Sequence, residues 1–79
     1  MRLALPQFNS MQRVTARAAG WTWECELDDS HRSIDIVIPP AIPERDVEVF
    51  CSPLDVFGCV DQSRSTIVIK TKHRSRKRG

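Results

Sequence analysis

The sequence predicts a small, mainly β domain of four to five antiparallel strands, which form a sheet or a partly open barrel with one short helical turn. Two observations lead to this fold class. Apolar and polar residues alternate in several short stretches rich in β-branched and aromatic residues, and proline or glycine separates these stretches. At 79 residues the chain has the size of one domain, which we expect to span residues 1–71.

The clearest alternation runs through residues 21–38 and predicts a β-hairpin. Side chains in a strand point alternately to two faces, so this segment has one apolar face and one acidic face. A loop of four residues would place Leu27 opposite Ile34 and Cys25 opposite Ile36. This pairing keeps the apolar side chains together, as a buried face requires.

Residues 10–19 allow two interpretations. As a helix they would begin at a serine cap and end before a glycine, and the fold would then be α+β. As a strand they would lead into a tight turn at residues 19–20 that pairs Val14 with Cys25 and Arg13 with Glu26. We favour the strand, because its register keeps both faces consistent and places an arginine beside an acid.

Five shorter segments complete the predicted fold. Residues 2–5 predict an edge strand that a proline ends, and the three prolines of residues 39–43 predict a stiff connector. Residues 46–51 resume the alternation of a strand. A serine followed by proline and an acid predicts one helical turn at residues 52–55, after which Val56 and Phe57 would cover one end of the core. The β-branched residues 66–71 predict the last strand.

We expect the core to form from the inward-facing apolar side chains of these strands. They are Trp21, Trp23, Leu27, Ile34, Ile36, Val47, Val49, Ile67 and Ile69. Residues 72–79 contain five bases and no apolar side chain to bury. They are therefore predicted to be a disordered basic tail.

Charge is segregated along the chain, although the net charge is only +2. Residues 1–20 carry three arginines and no acid, and residues 21–63 carry all ten acids with two arginines. Residues 64–79 carry seven bases and no acid. An acidic middle between two basic ends suggests binding through charge.

The three cysteines predict neither a metal site nor a catalytic site. Cys51 and Cys59 are eight residues apart and Cys25 lies on a different strand, whereas zinc ligands are paired at short spacing. Nothing places His31 beside a thiol as a base, and no glycine-rich loop follows a strand to hold a phosphate. We therefore predict buried thiols in a non-catalytic protein without a cofactor.

Three features predict a cytoplasmic protein. No apolar run approaches the roughly 20 residues that span a bilayer, and the apolar stretch near the N-terminus is too short for a signal peptide. An odd number of irregularly spaced cysteines also argues against the disulfide framework of a secreted domain.

The acids at outward strand positions are the main candidate site. In the predicted hairpin Glu26 would lie across from Asp35, a like-charge pair that costs stability. Arg13 and Arg17 would relieve this repulsion if the face were simply solvated. The alternative is that a negative β surface imitates phosphates and binds a basic, nucleic-acid-handling protein. The candidate partner-binding residues are Glu24, Glu26, Asp28, Asp35 and Glu48.

A nucleic-acid-binding β domain is the second candidate function. Lysine and arginine neutralise phosphates and release counterions, which gives salt-sensitive binding. The candidate phosphate-binding residues are Arg13, Arg17, Lys70, Lys72, Arg74, Arg76, Lys77 and Arg78. Neither candidate function excludes a homodimer.

Two general resemblances accompany these expectations. In its small size, its charge and its lack of motifs the chain resembles the inhibitors that phages encode, anti-CRISPR proteins among them. This resemblance carries no residue-level motif and implies only an inhibitor of viral or mobile-element origin. Five strands with a connector before the fourth also resemble an OB-fold, although PPAIPERD stands where that fold has a helix.

Overall fold

The structure is a computed structural model that describes residues 1–72. It confirms a mainly β fold, since these residues form six short strands and a single turn of 3-10 helix at Glu44–Asp46. The strands are β1 (Arg2–Ala4), β2 (Gln12–Ala18), β3 (Trp21–Leu27), β4 (Ser33–Asp35), β5 (Glu48–Pro53) and β6 (Ile67–Lys70).

The strands form two antiparallel sheets instead of one barrel. The larger sheet has the order β3-β2-β5-β6, and the smaller sheet pairs β1 with β4. The ladder of the smaller sheet continues beyond its strands, because the Ile36 N–H donates to the Met1 carbonyl at 2.7 Å. Leu5 and Ile36, which directly follow β1 and β4, belong to the same buried cluster as Val14, Ala16 and Val49 of the larger sheet.

The β2–β3 hairpin has the predicted register. Val14 pairs with Cys25 and Arg13 with Glu26 across seven paired residues. Gly20 closes the turn with a φ of 74°, a left-handed conformation that glycine adopts without steric cost. Residues 12–18 are therefore a strand, and the helical interpretation is excluded.

The predicted hairpin between residues 21–27 and 34–38 is wrong. Leu27 pairs with Gln12, and Ile34 pairs with Leu3. Alternation states which face a residue occupies but does not state which strand lies beside it. The observed pairings place Glu26 beside an arginine, so the like-charge pair of Glu26 with Asp35 does not form.

The predicted helical turn at residues 52–55 is also wrong. Strand β5 continues through Pro53, and Leu54 forms a bridge with Val60. The reason is burial, because Pro53 and Leu54 are both inside the fold, where a helical turn would break the ladder with β2. The only helical turn among residues 1–72 follows the proline-rich connector instead.

The core lies between the two sheets. Its buried members are Leu5, Val14, Ala16, Ile36, Val47, Val49 and Cys51. Of the predicted core, Ile36, Val47 and Val49 are fully buried, and both tryptophans, Leu27, Ile34 and Ile69 are partly buried against them. Ile67 is 40% exposed and is not a core residue.

The cysteines differ in their surroundings. Cys51 is buried, Cys25 is partly buried and Cys59 is exposed, so the prediction of buried thiols is wrong for Cys59. Burial raises the pKa of Cys51 to about 11, and the nearby thiol of Cys25 adds to the shift. Burial also raises the pKa of Cys25, with a smaller contribution from Glu26.

The disordered tail and the cytoplasmic location of the protein stay predictions. Residues 73–79 lie outside the described residues, so the disordered tail predicted from Lys72 onward is not observed or excluded. In the part of the chain that is described, no helix has the length and apolar character needed to cross a membrane.

Candidate functional site

The candidate site is the side of the larger sheet that faces away from the core. Strand alternation creates it, because each strand buries every second residue and presents the others. We call this side the outer face. Its residues on β2, β3 and β5 are Arg13, Thr15, Arg17, Thr22, Glu24, Glu26, Glu48, Phe50 and Ser52.

The strand registers arrange these residues in rows that cross the sheet. Glu26, Arg13 and Ser52 form the first row. The second row is Glu24, Thr15 and Phe50, and the third is Thr22, Arg17 and Glu48. On these three strands the outer face therefore carries three glutamates, two arginines and four neutral side chains.

Arg13 and Glu26 form the ion pair of the first row. Arg13 Nη2 donates to Glu26 Oε2 at 2.8 Å, and Arg13 Nε donates to the same oxygen at 3.2 Å. The hydrogen bond to Glu26 raises the pKa of Arg13. Arg13 Nη2 also donates to the Gly58 carbonyl at 3.4 Å, which joins the outer face to the loop after β5.

Arg17 interacts with an aromatic ring instead of a carboxylate. Its guanidinium carbon lies 5.0 Å from the centre of the Phe50 ring, a cation–π distance. Within residues 1–72 neither Glu24 nor Glu48 forms an ion pair. Two of the three glutamates of the outer face therefore have a carboxylate without a contact ion pair in the described structure, although Arg17 and Lys72 line one pocket with Glu48.

The other two predicted site acids lie elsewhere. Asp28 follows β3 in a loop, where its Oδ1 accepts hydrogen bonds from Ser30 N–H at 3.0 Å and the Ser30 hydroxyl at 2.5 Å. These bonds and that of His31 lower the pKa of Asp28. Asp35 lies on the smaller sheet, where the N-terminal ammonium is 3.3 Å from its Oδ1. The structure brings together Glu24, Glu26 and Glu48 only.

The predicted phosphate-binding residues are only partly brought together: Arg17 and Lys72 line one pocket, which Asp46 and Glu48 line with them. Lys70 Nζ donates to the carbonyls of Glu44 and Val47 at 2.8 and 2.9 Å, so it ties the connector to β6. Arg13 and Arg17 are engaged as described above, and Lys72 is exposed. The other four, Arg74, Arg76, Lys77 and Arg78, lie outside the described residues.

Sequence reasoning missed an exposed apolar loop between β5 and β6. Val56 and Phe57 are 93% and 86% exposed at its end, although they were expected to cover the core. The Asp55-x-x-Gly58 spacing is the missed signal, because aspartate at the first position and glycine at the fourth favour a tight turn. The Gly58 N–H does donate to the Asp55 carbonyl at 3.1 Å.

Metal chemistry has no support in the residues described. Residues 1–72 contain no group of three or more His, Cys, Asp or Glu side chains placed to hold a metal ion. The one histidine among them, His31, lies 3.1 Å from Asp28 Oδ1 in an exposed loop.

Comparison with known proteins assigns no family to this chain. No protein-family model matches the sequence, and neither the curated proteins nor the solved structures contain a match. A function for the outer face is therefore inferred from its own charges and contacts.

Proposed function

We propose that the protein is a non-catalytic binding module or inhibitor whose outer face docks on a basic surface of a nucleic-acid-handling protein. One observation carries this proposal: Glu24 and Glu48 lie on the outer face and have no ion pair within residues 1–72. A carboxylate that no cation contacts directly can accept hydrogen bonds and an ion pair from a partner. Such a field speeds the encounter with a basic protein and selects against acidic ones.

The spacing of the acids supports imitation of a phosphate backbone. Glu24 and Glu26 are two residues apart on β3, which places them about 6.8 Å apart along the strand. One DNA strand advances about 3.4 Å along the helix axis for each phosphate, and because its backbone also winds around the axis, neighbouring phosphates lie farther apart than this rise. The two carboxylates therefore repeat on the scale of neighbouring phosphates. A surface that binds a phosphate backbone through regularly spaced arginines would meet carboxylates at compatible intervals.

The ion pair of Arg13 and Glu26 leaves room for a partner. Arg13 donates two hydrogen bonds to Glu26, both to Oε2, and no hydrogen bond from residues 1–72 reaches Oε1. Exposed ion pairs of this kind stabilise a fold by only about 0–1 kcal/mol. Arg13 therefore orients the carboxylate, and its second oxygen can accept a hydrogen bond from a basic partner.

Charge reversal on the outer face tests the proposal. We would use the tagged full-length chain to capture proteins from a nuclease-treated lysate of the source organism. The matched experiment uses the Glu24→Lys/Glu48→Lys variant. We expect the variant to lose a partner that the wild-type chain retains. The captured partner should release a labelled DNA or RNA duplex when wild-type chain is added, because both ligands would occupy one surface.

A second double variant controls for net charge. Asp29→Lys/Glu44→Lys changes the net charge by the same amount, but both residues are exposed positions away from the outer face. Neither forms an ion pair within residues 1–72. The control should keep the partner. Equal loss with both variants would contradict the proposal, and so would a partner whose capture depends on nucleic acid.

A further inference from the structure

The loop between β5 and β6 presents two apolar side chains on a well-ordered turn. Asp55 Oδ1 accepts hydrogen bonds from the N–H groups of Phe57 at 2.8 Å and Cys59 at 3.0 Å. The Asp55 N–H donates to the Cys59 carbonyl at 2.8 Å, and Leu54 anchors the loop with 1% exposure. We call Val56 and Phe57, at the end of this turn, the tip.

Such a tip is unusual for an isolated chain. Burying one aromatic side chain removes roughly 150–250 Å² from water, yet Phe57 is 86% exposed and Val56 is 93% exposed. Exposed apolar groups that lie together mark interaction sites more often than single ones do. The side-chain and backbone hydrogen bonds of Asp55 also order the tip beforehand, so binding through it costs little conformational entropy.

A groove of about 510 Å³ adjoins the tip. Its apolar lining includes Met11, which is 43% exposed, together with Leu54 and Val56. Asp61 and Arg64 line the same groove and lie 3.7 Å apart. The tip and an apolar groove with polar edges are therefore neighbours on one surface.

We propose that a second copy of this chain occupies the groove, in a symmetric dimer that inserts the tip of each copy beside Met11 of the other. In a two-fold dimer the same patch meets itself, so it must be complementary to itself. This patch meets that requirement in shape, because it contains both a projection and a groove. The patch also carries charges of both signs, because Asp55 and Asp61 lie with Arg64 around the groove.

The edges of the groove carry both signs, so they do not repel a second copy as a patch of one sign would. Arg64 donates to the Phe8 carbonyl at 2.6 Å and lies 3.7 Å from Asp61 in its own chain. In the two-fold dimer it also faces the acids of the other copy. A 79-residue domain also buries only about 60% of its unfolded surface, and domains of this size are commonly stabilised by oligomerisation. The dimer uses a surface separate from the proposed partner-binding residues.

Sedimentation equilibrium of the full chain between about 1 µM and 1 mM tests the proposal. The wild-type chain should sediment at twice its mass of 9.0 kDa. Phe57→Ser and Met11→Ser should each raise the dimer dissociation constant at least tenfold, since one alters the tip and the other the groove. Val37→Ser is the matched control, because Val37 is an apolar residue that is 85% exposed and does not line the groove.

Three results would overturn the dimer. They are a monomeric wild-type chain at 1 mM, unchanged association of Phe57→Ser, and equal weakening by Val37→Ser. A wild-type chain that stays monomeric but captures a different protein through the tip would assign the groove to that protein. Circular dichroism of each variant establishes that it is folded, which is expected because all three side chains are at least 43% exposed.

Discussion

Raising the pH is expected to weaken the fold through the buried thiol of Cys51. This side chain is fully buried, and burial raises its pKa from 9.0 to about 11. An unfolded chain exposes the same thiol at its ordinary pKa, so between pH 9 and pH 11 the unfolded state carries thiolate while the folded state keeps the proton. The folded state binds more protons in this window, and the free energy of unfolding therefore falls as the pH rises.

The size of the effect follows from the shift of about two pKa units. One unit corresponds to about 1.4 kcal/mol, so the loss is negligible at pH 7.5, reaches about 1.4 kcal/mol at pH 10 and approaches about 2.7 kcal/mol above pH 11. A small domain has a total unfolding free energy of about 5–10 kcal/mol. Ionisation of this one buried thiol would thus remove a large part of the unfolding free energy.

Urea unfolding of wild type and Cys51→Ala at pH 7.5 and pH 10 measures this contribution. The alanine variant has no thiol to titrate at this position, so groups that ionise in both proteins, Cys25 among them, largely cancel in the comparison. We expect the difference in unfolding free energy between the two proteins to shrink by about 1.4 kcal/mol at the higher pH. Equal losses in both proteins would refute the reasoning, because the pH dependence would then come from other groups.

Three further predictions concern the thiols, the loop and the tail. A thiol reagent should label exposed Cys59 rapidly and buried Cys51 only upon unfolding; mass spectrometry of partly labelled protein would detect the opposite order. Gly58→Ala should lower the unfolding free energy by about 1–2 kcal/mol in urea unfolding, because Gly58 has a φ of 82°, which alanine adopts only with strain. No atom lies near the added methyl group, so the loss would come from the backbone alone; an unchanged value would show that the turn adapts. Deleting residues 72–79 removes five bases and changes the net charge from +2 to −3, and binding to a basic partner should persist. DNA or RNA binding by the full chain that decreases steeply with salt and disappears with the tail would instead establish the nucleic-acid alternative.

The parts of the fold that could be predicted are those in which neighbouring segments determine each other. The β2–β3 register followed from a two-residue turn and from the match of Arg13 with Glu26, which are local constraints. The pairing of β4 was not accessible in this way, because its apolar alternation fits either β3 or the distant β1. Ile34 pairs with Leu3 only once two segments that are distant in the sequence come together, and alternation carries no information about that step.

The candidate site also divides into features that local pattern predicts and features that depend on the pairing of distant strands. Glu24 and Glu26 were placed correctly on one outward face, since this requires only the period of a strand. Asp35 was assigned to that face through the incorrect hairpin and lies on the other sheet. The loop at Asp55 was missed because serine followed by proline is a start signal for a helix as well as an acceptable end of a strand.

The position of β3 at the edge of the larger sheet has a consequence for solubility. Within residues 1–72 this seven-residue strand pairs on one side only, with β2. An unpaired edge of this length can join the edge of another molecule and extend into an aggregate, and charged side chains on the strand are a common protection. Glu24 and Glu26 therefore also keep the sheet from growing. Replacing them with valine would invite aggregation, whereas lysine preserves the protection.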